Sequence, residues 1–365
     1  MDACREPIAG ATGPTKAVFA AVMLAAAAFC FAGPLKAQEV EEVATFGLEN
    51  RPARLLVRGA TDVEVFGPIL EAFVATVPEL HVTFEAWNTN DLYRKAAEDC
   101  RAGATDVDLL LSSAADQLVK LVNDGCAQPH RSVATAALPP EENWRDEVFG
   151  VTEEPAVIVY NRDLVPPGEA PRTRFDLIDL LRPADSRYAR RVATYDIERS
   201  GVGYLFAFTD SQQATTFGSL IEAFARSGAV ATCCSAEIIE GVAEGRYLIA
   251  YNVLGSYALD HAEEDPRLAV VAPEDYTLVL SRAAMIPKGA PNPTAAGLLI
   301  DFMLSEAGRT ALAEQYLLVR QEAGVLPDDQ GSVYRPIPLS PTLLLGLDRQ
   351  KRAAFLARWQ ATFAQ

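Results

Sequence analysis

The sequence predicts an α/β fold made of two blocks, and three observations carry that prediction. A strand, loop, helix order repeats from Ala53, a second run of the same kind begins at Pro155, and no Pro/Gly-rich linker separates the two. Strands alternating with helices imply sheets covered on both faces, mainly parallel. A chain of 365 residues, half of them apolar, is long enough for two cores. Without a single hinge-like linker, the chain is expected to cross between the blocks more than once.

The first block begins after a targeting segment. Lys16 precedes an unbroken apolar run from Ala17 to Ala32, and Leu35-Lys36-Ala37 places a small residue at a cut, so residues 1–37 read as a secretory signal peptide. The run is shorter than a membrane span. Its loss leaves 29 basic against 47 acidic residues, a balance of −18. A surface of that sign repels nucleic-acid phosphates, and no Lys/Arg patch offsets it. The expectation is an exported, periplasmic chain acting as a monomer, without nucleic-acid partners.

Ala53–Val57 reads as a strand. Phe66, Ile69, Leu70, Phe73 and Val77 fall at helical spacing, and Leu80–Trp87 alternates as a second strand. Pro68 is compatible with that helix only near its start. Asn90 and Asp91 suit a helix cap, Val107–Leu111 a buried strand, and Ser112, Ser113 and Asp116 a helix start. In the second block Pro155–Asn161, Arg190–Asp196, Tyr247–Val253, Leu268–Pro273 and Thr277–Pro287 read as strands. Phe175–Leu181, a segment opening at Ser200, Phe217–Arg226 and Ser235–Ala243 read as helices. Pro293–Gln315 suggests one long helix and Leu347–Phe363 an amphipathic C-terminal one.

Four cysteines follow the signal segment: Cys100, Cys126, Cys233 and Cys234. An oxidising compartment permits three pairings. Cys100 with Cys126 is favoured, because the two end consecutive helices of one βαβ unit. A bond between adjacent Cys233 and Cys234 requires strained geometry, and free, buried cysteines are the alternative.

Loops at the carboxyl ends of parallel strands gather ligands, helped by helix N-termini. The candidates are Gly59-Ala60-Thr61, Trp87, Ser112-Ser113, Ser200-Gly201 with Arg199 before it, and Asn252 to Tyr257. Hydroxyl, amide and glycine residues there serve equally as simple helix caps. Arg199 has the fork geometry to clamp a carboxylate or phosphate. His81, His130 and His261 lack zinc-site spacing, and neither a nucleophile triad nor a dinucleotide fingerprint is present. No catalytic residue, metal ligand or cofactor is therefore assigned.

LLVRGATDVEVFGPILEAF, DLLLSSAADQLVKLVNDG, YDIERSGVGY, EIIEGVAEGRYLIAYNVLGSYAL and MIPKGAPNPTAAGLLIDFMLSEAGRTALAE resemble, in order, segments of extracellular solute-binding proteins of bacterial ABC importers. The nearest branch is the ferric-iron type. The resemblance implies a periplasmic binding protein-like fold of type II: two α/β lobes, a ligand cleft and two β crossovers. Lobe 1 is then 50–152 plus 284–365, lobe 2 is 160–276, and the hinges lie near 153–159 and 277–283. It also implies an ABC permease as partner. Iron-binding members offer a His or acidic ligand after the first strand and adjacent tyrosines in the loop at Tyr251. Here Gly59-Ala60-Thr61 follows the strand, and Tyr251 and Tyr257 are separated by five residues, so iron is not carried over. The expected ligand is a small organic anion, a sugar phosphate or carboxylate. A subunit reporting to a membrane histidine kinase, with the C-terminal segment as its partner surface, and a ferric-binding protein are the alternatives.

Overall fold

The buried strands Ala53–Ala60 and Leu109–Ser112 lie at the centre of the first sheet. In the computed structural model, which describes residues 40–213, 215–319 and 331–363, the strand β1 (Val40–Phe46) is an antiparallel edge. β2 (Ala53–Ala60) lies parallel between β3 (Leu80–Trp87) and β4 (Leu109–Ser112). The helix α1 (Val63–Thr76) buries Phe66, Ile69, Leu70 and Phe73, the stripe its spacing predicts. Pro68 sits in its second turn on the exposed side. α2 (Thr89–Ala102) starts at Asn88, whose side chain accepts from the Asn90 N–H, and stops at Gly103 in the left-handed region. α3 (Ala115–Asn123) follows β4, and the Cys100–Cys126 disulfide ties the end of α2 to the loop after α3. The short β5 (Ala127–Gln128), α4 (Val133–Ala136), β6 (Asn143–Trp144) and β7 (Val148–Gly150) complete this stretch.

Residues 151–153 then carry the chain into a second sheet, whose central strand is β8 (Glu154–Asn161). α5 (Arg174–Leu180), β9 (Val192–Tyr195), α6 (Gly201–Gln213), α7 (Phe217–Ser227), β10 (Val230–Thr232), α8 (Ser235–Ala243), β11 (Ile249–Leu254), α9 (Gly255–Glu264), β12 (Leu268–Val271) and β13 (Thr277–Leu280) build around it. Ser281 and Arg282 return the chain to the first sheet at β14 (Ala283–Pro287), antiparallel to β4 and β7. The stretch read as one strand from Thr277 to Pro287 is thus two strands in different sheets. The chain passes between the two sheets at 151–153 and again at 281–282. Both sheets are mixed, not parallel: β8 runs antiparallel to β11, β12 and β13. A strand entering directly from another sheet has no crossover helix to impose a parallel direction.

The long helix expected at 293–315 is broken at Ser305, which ends α10 (Pro293–Leu304) and caps α11 (Glu306–Glu314) by accepting from the Gly308 N–H. A Cβ on Gly308 would lie 1.9 Å from the Phe302 carbonyl oxygen, so the bend depends on glycine. β15 (Tyr334–Pro336) extends the second sheet beside β13, and α12 (Leu344–Leu347) leads into α13 (Arg349–Phe363). Phe355 packs on Phe217, Tyr204 and Phe208, and Phe363 on Phe224. The C-terminal segment, expected with the first lobe as part of 284–365, lays β15 and α13 against the second sheet and its helices, while α12 also touches α3. Its helical spacing announces an apolar face but not which surface the face meets. One core of Phe66, Phe73, Phe84, Ile300 and Met303 underlies the first sheet and another of Tyr204, Phe224, Tyr251 and Trp359 the second.

Candidate ligand cleft

The carboxyl ends of β2, β3, β4 and β9 and the first turns of α1, α2, α6, α8 and α9 meet between the two sheets. There they enclose a cavity of about 90 Å³. It holds several waters or one compact solute. Of the residues expected at a site, the structure brings Ala60, Thr61, Trp87, Ser113, Ser200 and Tyr257 to this wall. A larger groove of about 830 Å³ between α2, α3 and the C-terminal helices is lined by helix exteriors and lies away from the strand ends.

At the base lies a fully buried ion pair. Arg282 Nε and Nη2 donate to the two oxygens of Glu154, at 2.8 and 3.0 Å, with both side chains no more than 1% exposed. Each residue stands at one of the two crossings. Nη1 of Arg282 donates to the Ala60 carbonyl at 2.9 Å and to Thr61 Oγ1, while Thr152 and Ser256 hydroxyls donate to Glu154. The carboxylate holds the Arg282 pKa above its ordinary value despite burial, which acts against the charge.

Tyr195 and Tyr257 reach the cleft from the second sheet. Tyr195 exchanges a hydrogen bond with Ser235 Oγ at 2.6 Å and accepts from the Leu254 N–H at 3.2 Å. Burial pushes its phenol up to about 12. The Tyr257 hydroxyl accepts from the Asp62 N–H at 3.5 Å, and burial raises its pKa well above the ordinary value. Trp87 is held by Glu85, which accepts from its indole N–H, and by the Arg58 guanidinium 5.5 Å from its ring centre. Across the cleft mouth the Gly201 N–H donates to Thr89 Oγ1 at 2.8 Å, and the Asn90 amide donates to the Glu198 and Arg199 carbonyls at 3.0 Å.

Five expected site residues lie elsewhere. Gly59 packs against Phe84, where a Cβ would come within 2.5 Å of the ring, and Ser112 is buried accepting from the Ala114 N–H. Gly201 is interfacial without lining the cavity: its missing Cβ leaves room for Gln117, Ala114 and Thr89. Arg199 sits in the turn before α6 with its side chain exposed, outside the lining. Asn252 points inward, because a bulge between Tyr251 and Val253 places it at φ 63° with its amide 3.5 Å from Asp210. Tyr251 is core. Its hydroxyl donates to Asp210 and accepts from Arg174, and Asp210 also accepts from Tyr276 and Arg174. Sequence reasoning missed Arg282, Tyr195, Ser235 and the cysteine pair 233–234, which also line the cleft. Arg282 carried a signal, a lone cation between two apolar strands.

Two sheets joined by two crossings around such a cleft define a two-lobed, type II binding-protein fold, the class to which the solved relatives belong. A substrate-binding protein of an ABC transporter from Agrobacterium tumefaciens is 34% identical, with a TM-score of 0.81 over 88% of this chain and 98% of that one. Iron-bound HitA from Pseudomonas aeruginosa (16% identity, TM-score 0.64, 85% and 99% covered) shares the fold. So does AfuA from Actinobacillus pleuropneumoniae with bound fructose-6-phosphate (16%, 0.65, 86% and 99%). No curated protein matches. The family model for bacterial extracellular solute-binding proteins matches residues 55–317, and the chain belongs to that family. It is a solute-binding component of an ABC transporter and not an enzyme, as the sequence predicted.

Proposed function

We propose that the chain captures a small organic anion, a sugar phosphate or carboxylate, between its lobes and delivers it to an ABC permease in the inner membrane. The observation that carries this reading is the set of helix starts at the cleft. α1, α8 and α9 begin there without a side-chain cap on their first N–H groups. Backbone donors and dipoles from both lobes thus favour negative charge at one point. Thr61, Ser113, Ser200, Ser235 and Tyr257 add hydroxyls, and Trp87, Val202 and Leu254 supply apolar wall for a carbon skeleton.

Two carboxylates, Asp62 and Glu41, also line the cleft. Burial, then Asp62 and Asp91, raise the Glu41 pKa, which eases its neutralisation beside an anion. Arg199 is replaced in this reading by Arg282 as the cation nearest the ligand. Lobe 1 comprises 40–150 with 283–319, lobe 2 comprises 154–280, and closure occurs about 151–153 and 281–282. The protein works as a periplasmic monomer. The kinase-reporting alternative loses its motive, since the C-terminal helix buries its aromatic residues on α7. Thermal melting of the mature protein against sugar phosphates, carboxylates, polyamines and ferric salts is the test. Stabilisation by the first two classes is expected. Stabilisation by polyamines alone, or by ferric salts alone, overturns the reading.

A further inference from the structure

Cys233 and Cys234 are bonded to each other on the cleft wall, at the N-terminus of α8. A disulfide stabilises a fold chiefly by closing a loop in the unfolded chain. Adjacent residues close none, so this bond adds nothing of that kind, unlike Cys100–Cys126, which spans 26 positions. Its value must lie in chemistry at the surface it occupies. Cys234 is exposed, and it is the N-cap residue of α8 without a capping hydrogen bond. The helix N-terminus stabilises a thiolate there, which makes that sulfur the better leaving group in thiol–disulfide exchange.

Glu237, in the first turn of α8, lies on the same side. Its carboxylate and the two sulfurs lie within 4.8 Å of one another, and Thr232 Oγ1 donates to Glu237 Oε1 at 2.8 Å. We propose that reduction of the Cys233–Cys234 bond converts this corner of the cleft into a binding site for a thiophilic divalent cation of the zinc or cadmium class. Cys233, Cys234 and Glu237 are its three protein ligands.

A dithiol reductant supplies two electrons and two protons: the S–S bond breaks, two thiols form, and the reductant closes its own disulfide. The cation then displaces two protons from the thiols and takes one carboxylate oxygen. Two sulfurs and one oxygen leave a tetrahedral cation one open position. Because Cys233 and Cys234 line the cavity, that position is accessible from the cleft. The Thr232 hydroxyl donates to the Glu237 carboxylate and orients it as outer partners of metal ligands do. The oxidised pair, with both sulfurs bonded, offers no thiolate.

The test uses the mature chain and cadmium(II), with no need for the transported solute. The protein is reduced under native conditions with a water-soluble phosphine until two thiols per chain appear, and alkylation with peptide mass spectrometry maps them. Cadmium is then titrated, following the ultraviolet thiolate-to-metal band. The expected result is thiols at Cys233 and Cys234, one equivalent bound by the reduced protein and none by the oxidised one. Binding should be weakened about tenfold by Glu237→Gln and abolished in a folded Cys233→Ser/Cys234→Ser variant. Thiols appearing first at Cys100 and Cys126, no uptake by the reduced chain, equal uptake by the serine variant, or no effect of Glu237→Gln would each overturn the proposal. Melting of the oxidised protein with organic anions reports on the transport reading separately.

Discussion

Glu154→Ala should be among the most damaging single substitutions in this chain. It removes the partner of Arg282, which is 1% exposed, and the acceptor of two hydroxyls, Thr152 and Ser256. Stripping one member from a buried pair leaves an uncompensated charge, at a cost of about 3–5 kcal/mol. Against a typical total of roughly 5–15 kcal/mol this is a large fraction. A melting temperature lower by on the order of 5–10 °C should accompany it. Urea unfolding followed by circular dichroism measures the change, with the slope unaltered if only stability moves. The paired replacement Glu154→Leu with Arg282→Met removes both charges and should cost far less. A single variant within about 1 kcal/mol of the parent, or a paired variant as unstable as the single one, would refute the argument that charge compensation holds the crossings together.

Three further outcomes are expected. Asp116, buried at the start of α3, has its carboxyl pushed up to about 7 by desolvation. The folded state therefore binds a proton that the unfolded state releases at lower pH. The stability tied to that proton is present in full below the unfolded value near 4 and is lost as pH rises to about 7. Asp116→Asn should flatten that decline, by up to about 4 kcal/mol across the window, in denaturation curves at several pH values. Reduction of Cys100–Cys126, whose loop spans 26 positions, should cost about 3.5 kcal/mol by loop-closure entropy, read from urea curves with and without reductant. Tyr257→Phe should weaken whichever anion stabilises the protein in melting. Unchanged affinity removes that hydroxyl from the site.

Strands and helices were legible wherever burial is periodic. Leu80–Trp87 and Ser235–Ala243 match to the residue, because each is bounded by a turn or cap residue and has one uniform pattern. The misreadings occur where tertiary context overrides pattern. Thr277–Pro287 is apolar on either side of Ser281-Arg282, yet it serves two sheets, and that polar pair with the buried Arg282 marks the break. Asn252 was expected at the cleft from its place at a strand end, and a bulge turns it inward. At the site, hydroxyls before helices could be found from the strand-end rule. Arg282 was marked only as a lone cation between apolar runs, and Tyr195 and the cysteine pair could not be found, since their place depends on how the second sheet is threaded rather than on spacing along the chain.

The C-terminal segment also bears on how far the molecule can rearrange. α12 touches α3, which follows the first sheet, while the Gly346 carbonyl accepts from Tyr204 on α6 and α13 lies on α7 beside the second. The strap thereby adds a noncovalent link to the two covalent crossings. A displacement that parts α3 from α6 must strip α12 from one of them, so the reach of any opening is set partly by residues 344–347, remote in sequence from every residue that touches the cavity.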